Sequence, residues 1–206
     1  MAETAQGPST RDALIEATSR KLWTVDESEL RILDICQETN LSTSVIYGHF
    51  RSRQGLIDAS LLHLFAIVTD QIVENISSAA ESANETGSFV DALYALLTNP
   101  GHEETVAQTR QMFFRISATA LSRPSIRPGF LDLYHRFMGR VDAIYDGLVL
   151  RGLLGSELTG HQWALCFEGQ MLSRAFHDLS SSWDNQSDWN RTTYRILSAP
   201  QEQVAS

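Results

Sequence analysis

No stretch of this 206-residue chain sustains the two-residue alternation of a half-buried strand, and its apolar repeats recur at helical spacing. The longest repeat runs through Leu56, Ile57, Leu61, Leu64, Phe65, Val68, Ile72 and Ile76 and breaks at Asn84-Glu-Thr-Gly87. At 1.5 Å per residue that predicts one helix on the order of 40 Å long. The chain reads as all-α.

Breakers at Asn99-Pro-Gly101, Pro124 to Gly129, Gly152 to Ser156 and the polar run Ser180 to Asp188 divide the rest. Helices are expected near 88–98, 103–122, 127–151, 159–181 and 189–198. Upstream the elements are shorter. Ser9 with Asp12 three residues on is a helix start that also suits the dipole, giving a first helix from Thr10 to Trp23. Asp26 and Glu29 repeat that spacing ahead of Ile32, Ile35, Cys36 and Thr39, which predicts a second helix opening there. Asn40 suits a left-handed cap and Ser42 an N-cap, so a third helix spans about Thr43 to Phe50. Three helices with a tight Asn40-Leu41-Ser42 turn describe a helix-turn-helix. The expected organisation is a module at 9–60, a larger helical domain at 61–198 and a tail at 199–206.

A formal net charge of -9 argues against indiscriminate binding of polyanions over the whole surface, because counterion release needs clustered Lys and Arg. A local basic face is what the module would need. No charged-then-apolar leader opens the sequence, and no uncharged apolar run approaches the roughly 18 residues of a bilayer span. The expectation is a cytoplasmic protein with no membrane partner. Cys36 and Cys166 form no C-x-x-C pair and read as small buried apolar residues. The histidines lack H-E-x-x-H spacing, and the sequence has no G-x-S-x-G, Walker or dinucleotide motif, so no metal, no cofactor and no enzymatic activity are expected.

On the third helix Val45, Ile46 and Phe50 share a side that packs inward, leaving Thr43, Ser44, Tyr47 and His49 outward. Hydroxyls and imidazoles bond base edges or phosphates, and the amides at the helix start beside Ser42 attract a phosphate oxygen. Arg51 and Arg53 follow where a groove-bound helix meets the flanking backbone. The DNA-contacting set is read as Arg31, Ser42, Thr43, Ser44, Tyr47, His49 and Arg53. The alternative is a helical protein-protein interaction module without specific DNA binding, which the overall acidity keeps open.

This segment resembles the DNA-binding module of the TetR (tetracycline-repressor-like) family. The family pattern G-V-S-x-x-x-L-Y-x-H-F-x-S-K-E-x-L is met here by Asn40, Leu41, Ser42, Ile46, Tyr47, His49, Phe50, Ser52, Arg53, Gln54 and Leu56. Upstream, Leu14-Ile15, Ala17, Leu22 and Asp34-Ile35-Cys36 resemble the family's first two helices. The chain departs from the pattern between those helices: Thr24 to Arg31 replaces the usual glycine and paired threonines, and Arg31 is the residue placed to supply their phosphate contact. Val45 lacks a hydroxyl common on the reading face. The resemblance implies a ligand-responsive transcriptional regulator, a repressor that binds a palindromic double-stranded operator as a homodimer and is released by a small, partly apolar effector.

Two further expectations concern the larger domain. In the 159–181 helix, Leu165, Leu172, Phe176 and Leu179 form one stripe and Trp163, Phe167 and Met171 lie nearly opposite. A helix apolar on both sides must be covered on both. One cover is its own core, and the family implies a second subunit as the other, with Leu165, Leu172, Phe176 and Leu179 assigned to that interface. Phe89, Tyr94, Met112, Arg115, Tyr134, Phe137 and Met138 read from the residues alone as core or as cavity lining. The resemblance implies that they bind the effector.

Overall fold

The computed structural model describes residues 9–85, 87–98, 103–178 and the positions 191, 192 and 195. The expected helix at 189–198 falls largely outside these residues, and Leu179 and the tail 199–206 fall wholly outside. Eight helices and no strand are present among the described residues: α1 (Thr10–Leu22), α2 (Ile32–Thr39), α3 (Thr43–Phe50), α4 (Arg53–Ser82), α5 (Ser88–Thr98), α6 (Glu103–Ser122), α7 (Arg127–Leu150) and α8 (Gly160–Asp178).

Local chemistry sets most of these ends. Ser9 accepts a hydrogen bond from the Asp12 amide at 3.2 Å and donates to the Asp12 carboxylate at 2.7 Å, so α1 starts where the sequence places it. α8 opens on a reciprocal box: the Gln162 amide donates to the Thr159 hydroxyl at 3.2 Å, and the Thr159 amide donates to the Gln162 side chain at 2.9 Å. α2 differs from expectation. Asp26 and Glu29 stand in a turn closed by the Glu29 amide donating to the Asp26 carbonyl at 3.0 Å, and α2 begins at Ile32 behind Arg31, whose side chain makes no capping bond.

The helices form two compact units: residues 9–67 with Ile116–Phe130, and Val68–Arg115 with the described residues from Leu131 onward. α4 and α6 therefore contribute to both. The first unit packs Leu14, Leu22, Ile35, Ile46, Leu56 and Leu61 at no more than 1% exposure. Removing one such side chain to alanine costs about 2–5 kcal/mol. The second unit is built around Trp163, whose ring stacks on Phe167 with centroids 5.6 Å apart and also meets Phe89 at 5.8 Å and Tyr145 at 5.7 Å. α7 and α8 approach closely at Gly160, where an added Cβ would fall 2.7 Å from the Asp142 carbonyl oxygen.

The expected burial of the two cysteines is corrected here. Cys166 is exposed and Cys36 only half-buried, because neither lies on the inward face of its helix. α4 is also long and apolar enough by composition to cross a membrane, with 56% of its most apolar window buried inside the protein. Its hydropathy follows from lending core residues to two units in succession.

Candidate nucleic-acid interface and ligand cavity

α3 is a short helix held between two left-handed residues. Asn40 at φ 54 ends α2, and the next amide, that of Leu41, donates back to the Cys36 carbonyl at 3.1 Å. That is the six-to-one bond of a Schellman cap. Arg51 at φ 62 ends α3, its amide donating to the Tyr47 carbonyl at 2.9 Å. Ser52 then accepts from the Gly55 amide at 2.9 Å to start α4. Gly55 is required there, since a Cβ would lie 2.3 Å from the Phe50 carbonyl oxygen.

Between those caps the faces of α3 separate. Ile46 and Phe50 are buried, Val45 is half-buried, and Thr43, Ser44, Tyr47, Gly48 and His49 are exposed. Tyr47 keeps 47% of its surface open. Ser44, Tyr47 and Gly48 occupy the middle of the outward arc, and a Cβ added to Gly48 would meet nothing within 4 Å. His49 lies about 200° round the helix from Tyr47, on the other flank of the exposed surface. Ser42 sits extended at the N-cap position without a capping bond, its hydroxyl 2.7 Å from that of Ser44. Sequence reasoning passed over Gly48, whose signal is a missing side chain in the centre of an exposed arc.

The cations divide. Arg20 and Lys21 pair with Glu38 at 2.9 and 3.4 Å, and the Arg20 hydrogen bond, with Lys21 helping against a small desolvation cost, holds the Glu38 carboxyl below its ordinary range. Arg11 lies over the Phe50 ring at 5.3 Å. Arg53 donates to the Leu30 carbonyl at 2.9 Å and also to the Glu27 carbonyl, so its guanidinium holds the turn before α2. That is a different place from the flanking phosphate position expected for it. Arg31 and Arg51 are exposed, and among the described residues their guanidinium groups make neither a hydrogen bond nor an ion pair.

The same turn is tied a second time. Arg123 reaches Glu27 and Asp58, and their hydrogen bonds and charges raise its pKa despite the opposing and larger single effect of burial. Ser125 donates to the other Asp58 oxygen at 2.8 Å. The residues that replace the family's glycine and threonines thus form a turn stapled by Arg53 and Arg123.

In the second unit a cavity of about 320 Å³ is bordered by α4, α5, α6 and α8. Ile72, Ile76, Leu93, Val106, Phe167 and Met171 supply its apolar wall, and Gln71, Asn75, Thr105, Thr109 and Arg110 its polar one. None of the seven residues expected to bind an effector lines it. Phe89, Met112, Phe137 and Met138 are at most 5% exposed and pack as core, with Phe137 against Phe113 at 5.8 Å. Tyr134 donates to Glu168 at 2.9 Å, joining α7 to α8, and burial together with that carboxylate pushes its pKa up to about 12. Tyr94 and Arg115 are half-buried. The aromatic and methionine residues expected at the cavity fill the core instead, and the cavity wall mixes aliphatic and polar residues with Phe167 and Met171.

On α8 the two stripes part as the pattern demands. Trp163, Phe167 and Met171 are 2–4% exposed, whereas Leu165, Leu172 and Phe176 are 49%, 41% and 58% exposed. Cys166 flanks the open stripe.

Solved structures share this fold over more than nine-tenths of the chain. A TetR-family transcriptional regulator from Cytophaga hutchinsonii superposes with a TM-score of 0.66 at 12% identity, covering 97% of this chain and 98% of that one. The fold is that of the TetR family. The reduced form of E. coli NemR shares the fold at a TM-score of 0.65 and 13% identity, with 93% and 99% of the chains covered. Salmonella enterica GusR does so at 0.59 and 16%, covering 98% and 100%. Among curated proteins, the HTH-type transcriptional regulator AlkX of Mycobacterium tuberculosis is 30% identical over 82 residues, which is 40% of this chain. That match spans 36% of AlkX, little more than a third of its length. No protein-family model matches the sequence.

Proposed function

We propose that this TetR-fold chain is a dimeric DNA-binding transcriptional regulator, a cytoplasmic repressor whose α3 reads a palindromic operator and which a small effector releases. The observation that carries the reading is α3 itself: a short helix set between the left-handed Asn40 and Arg51, whose outward arc offers Ser44, Tyr47 and a bare Gly48, with the exposed cations Arg31 before α2 and Arg51 at its own C-terminal end. A helix in a major groove needs base-edge donors at its centre and phosphate-binding groups at its margins. Ser44 and Tyr47 take the first role. Thr43, His49, Arg31, Arg51 and the amides behind Ser42 take the second.

Arg51 supports this from another direction. A left-handed conformation costs a residue with a Cβ about 1–2 kcal/mol, and glycine would adopt it freely. Keeping an exposed arginine there is understandable where its charge is used, and backbone phosphate is the partner its position suits.

The open Leu165, Leu172 and Phe176 stripe is the surface we assign to the second subunit. A two-fold dimer would place two copies of α3 on successive major grooves, about 34–36 Å apart. The cavity of the second unit is the effector site, and α4 and α6, which line it and continue into the first unit, are the route of coupling. A coupling of about 1–3 kcal/mol would weaken DNA binding roughly 5–150-fold, enough for a switch. The test is selection of bound fragments from a random duplex library by the purified protein. Enrichment of one palindrome with half-sites about one helical turn apart supports the reading; a folded, dimeric protein that enriches nothing, with or without cell extract metabolites, contradicts it.

A further inference from the structure

We infer that the bare position on α3, Gly48, is a notch for the C5-methyl group of one thymine in each operator half-site. This rests on the regulator reading above and names the base that the centre of α3 selects.

Nothing inside the chain asks for glycine at position 48. Its φ is not positive, and a Cβ added there would meet nothing within 4 Å. Glycine in a helix interior is less stable than alanine, so the bare position weakens the fold slightly. Its reason lies outside the chain, and helix geometry says where. The inward residues Ile46 and Phe50 are 0% and 7% exposed. At 3.6 residues per turn each lies about 160° round the helix from Gly48. Gly48 is therefore the part of α3 that faces most directly away from the module, and the part a major groove would receive deepest.

Side chains on a helix lean toward its N-terminus, so the surface left open by a missing one lies over the preceding turn. Ser44 and Val45 border that opening, about 40° and 60° to either side of Gly48. Val45 is half-buried and contributes methyl groups, while Ser44 is exposed with its hydroxyl 2.7 Å from that of Ser42. The opening thus has a bare floor, an apolar wall and a hydroxyl at its other edge. A polar base-edge group pressed against that floor would lose its water and gain no partner, which costs binding. Thymine alone among the four bases presents a methyl group beside an acceptor, O4, at its major-groove edge. The methyl fits between the floor and Val45, leaving O4 to the Ser44 hydroxyl.

Replacing thymidine by deoxyuridine removes that methyl and leaves base pairing unchanged. The test applies this to the selected operator, one symmetry-related pair of positions at a time, and reads fluorescence anisotropy with the full-length protein. One pair should weaken the parent by about fourfold per half-site, the worth of one buried methyl, and about sixteenfold in all. Gly48→Ala should be at least as heat-stable as the parent by circular dichroism. It should bind the thymine operator about tenfold more weakly and prefer uracil at that same pair, because its Cβ takes the methyl's place. A merely structural glycine would not exchange one base preference for the other. Val45→Ala, which removes the wall, reads the same pair independently and should shrink the uridine effect.

A parent indifferent to every uridine, a selected half-site without thymine, or variants that keep the parent's preference for thymine would each overturn the inference. A selection that enriches no sequence strikes the regulator reading and this one with it. A recovered operator indifferent to the methyl strikes this one alone.

Discussion

The guanidinium of Arg123 donates to the carboxylate of Glu27 at 2.8 Å, joining positions 96 apart in sequence. Its other nitrogen donates to Asp58 at 2.9 Å. All three side chains are partly buried, at 27%, 25% and 14% exposure. Arg123→Ala would leave two carboxylates facing each other without their shared cation, and the expected loss is about 1–3 kcal/mol. Urea denaturation of the variant against the parent measures it. A change within about 0.3 kcal/mol would show that solvent replaces the staple at no cost.

Arg51→Gly should act with opposite signs on folding and on binding. Relief of the left-handed strain raises stability by about 1 kcal/mol, while loss of the charge weakens binding to a selected operator and makes the salt dependence shallower. Thermal denaturation and fluorescence anisotropy on one preparation give both numbers. Parallel changes would mean that Arg51 has only a structural role.

Leu172→Glu and Phe176→Glu place charges on the open stripe of α8. Neither side chain is needed in its own core, so each variant should remain helical while the sedimentation coefficient falls from dimer to monomer. Loss of helix on substitution would instead place the stripe inside a single chain.

Tyr134 gives a pH dependence of known sign. Its folded pKa, near 12, lies above the ordinary value of 10.0, so the folded state holds the proton longer than the unfolded state does. Stability from the Tyr134–Glu168 bond is therefore fully present below pH 10 and lost as pH rises toward 12, where two anions would face each other. Tyr134→Phe should be less stable than the parent at neutral pH and should show a smaller decline between pH 10 and 12. Equal slopes by chemical denaturation would rule this out.

What was legible in the sequence was local. The Ser9 cap, the left-handed Asn40 and the period of α4 are each set by residues within a few positions, and the structure has them where the pattern puts them. Arg51 was missed because arginine is a poor signal for a left-handed residue, and only the backbone reveals it. Arg53 was read as a cation facing the DNA backbone, yet its acceptors are carbonyls 23 and 26 residues away, beyond any local rule. The start of α2 moved to Ile32 for the same reason: the turn at Asp26 to Arg31 is held by distant arginines instead of its own caps. The inclusion of Ile116–Phe130 in the first unit likewise has no trace in periodicity. Ring size misled the search for a cavity, since Phe89, Phe137 and the two methionines expected there fill the core and Phe167 is the one aromatic among the described lining residues.

The central claim is that the outward arc of α3 reads DNA. Its most direct measurement is binding of the selected palindrome at 50 and 200 mM salt, for the parent and for Tyr47→Ala combined with Ser44→Ala. The account predicts steep salt dependence in the parent and, in the variant, loss of the preference for the palindrome over scrambled duplex, with the salt slope largely kept. An unchanged preference in a folded variant would contradict it.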